Sequence, residues 1–175
     1  DENSLFNTIN NCQTAMGQRL LRNWLLRPLK KKEQIEQRYE NTSELVNNTN
    51  LLEKLKTALR DITDIERLTS RLATGSINAR DLIFLKNSLE KANILYDVIK
   101  SSKLNKLKEN LPNAEIYTDI KFIVDLIANS IKDDPAITIT EGNIVKEGYN
   151  KSLDKINTEA KQGGEYIKNL AESEK

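Results

Sequence analysis

The stretch TAMGQRLLRNWLLRPLKKKEQIEQR, residues 14–38, combines a helix-forming pattern with many positive charges. Apolar residues recur at helical spacing over residues 16–25, and Thr14 is a suitable N-cap. Pro28 disfavours helical geometry in the residue before it, so we expect the helix to end there. The pattern predicts an amphipathic helix with Trp24 in the core, central to a helical bundle, and with solvated basic residues on its other side.

The composition favours helices over a β-sandwich or barrel. Aromatic residues make up 5 % of the 175 residues, and only six glycines and three prolines are present. Sheets need more aromatic residues, and their turns need more glycine and proline. The net charge is +1, so any contact with nucleic acid must depend on a local patch rather than on the field of the whole chain.

Several kinds of active site are excluded by what the sequence lacks. With no histidine and one cysteine, a zinc site of the usual type and a nucleophile–histidine pair cannot form within one chain. The glycines never form the phosphate-binding loop G-x-x-x-x-G-K-[ST]. We therefore expect no catalytic, cofactor-binding or metal-binding residues and no enzyme activity. No apolar run reaches membrane-spanning length and no signal peptide opens the chain, which predicts a cytoplasmic protein without membrane contact.

Periodicity changes after Pro135. Helical spacing predicts helices starting near Lys32 and Leu51, a helix ending at Gly75, a long helix opened by Asn78, and another over residues 116–131. Residues 136–140 instead alternate and are β-branched, and a turn follows at 141–143. This pattern predicts one small β-hairpin as the only sheet structure.

The last helix has the rhythm of a coiled coil. Its apolar or small residues are spaced three and four apart and form a seam over residues 153–170, namely Leu153, Ile156, Ala160, Gly163, Ile167 and Leu170. Such a seam needs a partner helix, which the chain does not supply, so the sequence looks cut. We expect this helix to project from the bundle and to self-associate through the seam.

The stretch TAMGQRLLRNWLLRPL resembles the T-P-M-G-x-R-L-L-x-x-W-L-x-x-P-L signature of the MutS family of DNA mismatch-repair ATPases. Residues 35–38, 64–71, 75–82 and 141–154 are similar to later family motifs, in the same order. Ala15, Ala79 and Asn143 depart from the family pattern. The residues that carry the resemblance are Met16, Gly17, Arg19, Leu20, Leu21, Trp24, Pro28, Leu29, Arg38, Arg67, Arg71, Gly148 and Tyr149.

The resemblance implies an all-α architecture in three parts. Residues 1–134 correspond to the family's elongated lever, or core, bundle. Residues 135–149 correspond to a β-hairpin and connector, and residues 150–175 to a truncated ascending helix of the DNA clamp.

The resemblance also implies a function. The full-length family protein binds mismatched double-stranded DNA, forms a homo-oligomer, and uses ATP and Mg²⁺. This segment would couple DNA engagement to a distant ATPase site without being catalytic. Lys161 and Lys168 are the candidate DNA contacts. Two alternatives remain: a free-standing helical scaffold that binds a partner helix through the seam, or a small module that binds DNA nonspecifically.

Overall fold

The computed structural model describes residues 4–173, where α-helices dominate. Residues 1–3 and 174–175 of the predicted lever and clamp segments lie outside the described part of the chain. The helices are α1 (Leu5–Ile9), α2 (Ala15–Leu26), α3 (Lys32–Val46), α4 (Thr49–Arg60), α5 (Ile65–Ala73), α6 (Ala79–Ser101), α7 (Asn105–Lys108), α8 (Ala114–Ser130) and α9 (Lys151–Ser173). The all-α prediction is confirmed.

Local capping chemistry sets the helix boundaries where the sequence predicted them. The Thr14 hydroxyl accepts a hydrogen bond from the Gly17 N–H at 3.0 Å and opens α2. Asn78 and Asp81 exchange side chain–backbone hydrogen bonds of 2.9 and 3.1 Å, which form a capping box at the start of α6. Gly75, with φ +68°, follows the end of α5 in a conformation that glycine adopts without strain.

The core lies around α6, which packs along α8 and against α4 and α5. Leu85 and Ala79 of α6 are 3 % and 8 % exposed, and further buried apolar side chains come from its neighbours and the loops between them: Leu55, Ile62, Leu68, Leu104, Val124 and Ile127. Tyr96 of α6 stacks on Tyr117 of α8 with ring centroids 4.6 Å apart. The central helix of the bundle is therefore α6.

The prediction that Trp24 is buried in a central helix is wrong. Trp24 is 41 % exposed, and no described residue of α2 is buried. The guanidinium of Arg38 in α3 lies 3.8 Å from the indole centroid and covers part of the ring. Leu20 and Leu25, on the same predicted apolar side of α2, are 50 % and 37 % exposed, and periodicity alone could not show that this side lies outside the core.

The predicted β-hairpin is also wrong, because the described residues contain no strand. Residues 139–141 form a 3₁₀ turn, and Val145 makes a single antiparallel bridge with Ile131, before Pro135. Ile137 is 51 % exposed and Ile139 87 % exposed, so the alternating pattern has no core to bury its apolar side. Two short strands with no apolar surface beneath them are marginal in water.

Helix α9 leaves the bundle without extensive contact with another described helix. Residues 155–170 are all exposed, and Ile156 and Ile167 of the seam are 61 % and 69 % exposed. Among the described helices, none is long and apolar enough to cross a lipid bilayer.

Candidate functional site

The two candidate DNA contacts lie on one side of α9. Lys161 and Lys168 are seven residues apart, about two turns, so they point the same way and away from the seam. Both are exposed, and neither has an ion-pair partner among residues 4–173. Lys155, six residues before Lys161, instead forms an ion pair with Glu159 at 3.9 Å. Lys161 and Lys168 are thus available for phosphate oxygens.

The arginines of residues 14–38 are largely engaged within the fold. Arg19 binds two carboxylates, Arg38 covers Trp24, and Arg22 lies 5.7 Å from the ring centroid of Phe6. An arginine with an internal partner is less available to a phosphate. This arrangement disfavours a DNA-binding surface on α2.

Arg19 ties α2 to the start of α5. Its Nη1 and Nη2 donate to the two carboxylate oxygens of Asp64 at 2.6 and 2.7 Å, and its Nε donates to Glu66 at 3.0 Å. The fork of the guanidinium matches a carboxylate, which makes such pairs stronger than single hydrogen bonds. The hydrogen bonds from Arg19 lower the pKa of Asp64, and the same contacts raise the pKa of Arg19.

Asp64 has a second role as the N-cap of α5. Its Oδ1 accepts from the Arg67 N–H at 3.2 Å. The Arg67 side chain is exposed, and its charge also lowers the pKa of Asp64. The Asp64 carboxylate therefore caps the N-terminus of α5 and also binds Arg19 of α2.

Arg71 ties the end of α5 to the start of α6. Its Nη2 lies 2.7 Å from Asp81 Oδ2 and donates to the Ser76 carbonyl at 3.1 Å. Asp81 is 9 % exposed and also accepts the Asn78 N–H of the capping box. A buried carboxylate needs such partners, since leaving it unpaired would be costly.

The segment before α9 is fixed by hydrogen bonds to its own polar side chains. Gly148, with φ +87°, donates its N–H to Asp154 Oδ2 at 3.0 Å. Asn150 Oδ1 accepts from the N–H groups of Ser152 and Leu153. These bonds fix the turn at Gly148 relative to the first turn of α9. The neighbouring Tyr149 is 51 % exposed.

The remaining signature residues have structural positions on α2 and the loop after it. A Cβ on Gly17 would approach the capping hydroxyl of Thr14 to 3.1 Å, which explains why the smallest residue suits this site. The others range from half-buried to exposed: Met16, Leu21 and Leu29 are half-buried, and Leu20 and Pro28 are exposed.

Sequence reasoning identified the arginines of these ties but not their partners. Asp64, Glu66 and Asp81 lie 45, 47 and ten residues from their arginines, and a single sequence does not show such pairs. The signal was present in the motif Asp64-Ile-Glu66, whose acidic residues share the stretch with Arg67 and Arg71. No group of metal-binding side chains occurs within residues 4–173.

Comparison with known proteins identifies the family of this chain. The family model for MutS domain III matches residues 1–174. The chain is 41 % identical over 172 residues to the DNA mismatch repair protein MutS of Clostridium tetani, covering 98 % of the chain and 19 % of that protein. The corresponding proteins of Geobacillus sp. and Methanosarcina barkeri are 37 % and 36 % identical, with 93 % and 100 % of the chain and 18 % and 20 % of each relative covered.

The chain spans about a fifth of the length of the relatives that it matches. The matched region includes the Arg19, Arg71 and Gly148 motifs, which the structure places at helix junctions. The chain belongs to the MutS family, within which it corresponds to domain III.

Proposed function

We propose that this chain is a lever and ascending clamp segment of a DNA mismatch-recognition protein. The segment couples DNA engagement on α9 to a distant ATPase site and is not catalytic itself. ATP and Mg²⁺ bind elsewhere in the longer protein, which acts in the cytoplasm as a homo-oligomer on mismatched double-stranded DNA. The observation that carries this proposal is the pair of arginine–carboxylate ties that joins α2 to α5 and α5 to α6.

The ties support a mechanical role because each joins two helices directly through their side chains. Arg19 connects α2 to the start of α5, and Arg71 connects the end of α5 to the start of α6. Helix α5 is only nine residues long, so both ties act on one short rigid element. A displacement of α2 is therefore passed to α6 instead of being absorbed in a loop.

The DNA contact of this segment is proposed for the exposed lysines of α9. Lys161 and Lys168 carry free charges on a helix that extends from the bundle. Two cations of this kind would bind the phosphate backbone without reading sequence, and the binding would weaken with salt. The mismatch itself would be read elsewhere in the protein.

Two measurements on the purified chain test this division of roles. Calorimetry is expected to show no ATP binding, and a specific ATP site would refute the non-catalytic assignment. Fluorescence anisotropy with duplex DNA is expected to show very weak binding. Micromolar affinity that falls steeply with salt would favour an independent DNA-binding module.

A matched pair of variants tests the lysines in the longer protein. Replacing Lys161 and Lys168 by Gln is expected to weaken DNA binding and to lower its dependence on salt. The control replaces Lys54 and Lys103, two lysines exposed on the bundle, and is expected to change neither. Equal effects of the two pairs would contradict the assignment to α9.

The exposed seam favours a second possibility, association through α9. Ile156, Ile167 and Leu170 are each more than 45 % exposed. A partner helix, or a second copy of the chain, would cover them and form a coiled coil.

A further inference from the structure

We propose that Arg80 is a positioning residue that sets the direction in which α9 leaves the bundle. We call residues 131–150, between α8 and α9, the joint. Arg80 Nε donates a 3.0 Å hydrogen bond to the carbonyl oxygen of Pro135, 55 residues away. The functional meaning of this contact rests on the proposed lever role.

The hydrogen bond from Arg80 to Pro135 involves the buried part of the joint. Pro135 is among the fully buried residues, less than 2 % exposed. Its carbonyl has little access to water, so a protein donor must satisfy it. The second contact of Arg80, to Asp134 at 3.6 Å, lies on a side chain that is 94 % exposed and contributes little.

The rest of the joint is folded on itself. The Lys132 N–H donates to the Ile144 carbonyl, and the Lys146 N–H donates to the Ser130 carbonyl, both at 2.9 Å. The Lys132 ammonium also donates to Asn143 Oδ1 at 2.6 Å. These contacts make the joint one unit from the end of α8 to residue 146, and Gly148 and Asp154 extend it to α9.

Arg80 and Asp81 are consecutive residues in the first turn of α6 and serve different neighbours. Asp81 forms an ion pair with Arg71 of α5, and Arg80 donates a hydrogen bond to the Pro135 carbonyl in the joint. Neighbouring helical residues point about 100° apart, and the capping box fixes this turn. The first turn of α6 thus links the α5 tie to the base of α9, which extends the series of ties from α2 to the clamp helix.

Spin-label distance measurements on the full chain test the proposal. Cys12→Ser removes the native thiol, and Asn87→Cys on α6 with Gln162→Cys on α9 supplies the two labels. We expect a single narrow distance distribution, which Arg80→Met broadens or shifts. Methionine keeps the aliphatic packing and removes every donor. Arg80→Lys, which retains a cationic donor, is expected to restore the distribution partly.

Hydrogen exchange provides a second readout at named amides. Arg80→Met is expected to accelerate exchange of the Lys132 and Lys146 N–H groups about two- to tenfold. The control is Arg60→Met, because Arg60 also makes one long-range hydrogen bond, to Gln13 at 2.8 Å, but far from the joint along the chain. It is expected to leave both readouts unchanged.

Every other outcome contradicts the positioning role. A folded Arg80→Met variant with unchanged distances and exchange would show that the contact is dispensable. Global unfolding of that variant would show a general stability role, because loss of a local contact leaves the bundle helical. Neither readout involves DNA or ATP, so a failure here is distinguishable from a failure of the proposed function.

Discussion

Arginine side chains in this chain act mainly as internal connectors. Arg19 uses three donor nitrogens on two carboxylates, and Arg71 binds a carboxylate and a carbonyl. A lysine could not reproduce these contacts because its ammonium lacks the planar fork. At the residue scale, the two motif arginines Arg19 and Arg71 therefore make structural contacts between helices.

The Arg19–Asp64 pair predicts a pH-dependent stability. Asp64→Asn keeps an N-cap for α5 but removes the charge, and we expect a loss of about 1 kcal/mol in the free energy of unfolding at neutral pH. The pKa of Asp64 is lowered from 3.8 in the folded chain. The Arg19–Asp64 pair therefore stabilises the folded state at pH values above the pKa of Asp64 in the unfolded chain. Its contribution is lost as the pH falls through the lowered pKa.

Urea unfolding of wild type and variant as a function of pH measures this difference. The gap is expected to be constant near neutral pH and to close below about pH 4. Asp61→Asn serves as control, because Asp61 is exposed and its pair with Lys91 is a surface contact of 3.3 Å. A gap that widens in acid would contradict the assignment.

The contact between Trp24 and Arg38 predicts a small coupling energy. A double-mutant cycle with Trp24→Leu and Arg38→Gln is expected to give about 0.5–1 kcal/mol from thermal or urea unfolding, as for other cation–π pairs at exposed sites. A coupling of zero would show that the two side chains do not interact in solution.

Contacts between side chains could be predicted from the sequence only where the two residues are close together along the chain. Thr14 and Asn78 were recognised as caps because each acts within three residues. The partner of Arg19 lies 45 residues away and could not be deduced without the fold. Trp24 was misplaced for a related reason, since its exposure depends on helices that are remote in sequence.

At the element scale, α6 is defined by the helices that pack against it, α4, α5, α7 and α8. Ser88 is fully buried, and its hydroxyl accepts the Thr63 N–H at 3.0 Å and hydrogen-bonds the Thr63 hydroxyl at 2.6 Å. This contact fixes the loop between α4 and α5 on α6. Sequence reasoning missed Ser88, because a serine in a helix normally indicates an exposed position.

Removing this hydroxyl is expected to destabilise the bundle. Ser88→Ala leaves the Thr63 N–H without its acceptor and is expected to cost about 1–3 kcal/mol. Ser101→Ala is the matched control in the same helix, because Ser101 is exposed and bonds only to the Val98 carbonyl. Similar unfolding free energies for the two variants would contradict the role of Ser88.

The failed hairpin shows what an alternating pattern leaves undetermined. Residues 136–140 have the composition of a strand, but Val145 bridges to Ile131 instead. Gly142 and Asn143 both adopt positive φ, at 69° and 57°, which redirects the chain after the 3₁₀ turn. Strand formation depends on a partner surface, and the pattern alone does not supply one.

At the scale of the whole molecule, the exposed seam of α9 predicts self-association of the isolated chain. Ile156→Lys with Ile167→Lys is expected to convert any dimer to monomer in analytical ultracentrifugation, while circular dichroism retains the helical signal of the bundle. Charges placed in a coiled-coil seam oppose its burial. Gln162→Lys with Asn169→Lys adds the same charge to the opposite side of α9 and is expected to leave association unchanged.

A dimer that survives the seam substitutions would place the contact elsewhere. Gly163 and Gly164 lie within the seam region, and each lowers helix stability by about 1 kcal/mol relative to alanine. Association is therefore expected to be weak and to increase with protein concentration.

DNA-stimulated ATP hydrolysis tests whether the arginine ties carry a signal between the DNA and ATPase sites. The measurement uses a longer family protein that contains this segment, with Arg19→Gln and, as control, Arg60→Gln. We predict that Arg19→Gln reduces the stimulation by DNA roughly fivefold or more, while hydrolysis without DNA and DNA affinity are retained. Full stimulation in the Arg19→Gln protein would show that the Arg19 tie carries no such signal.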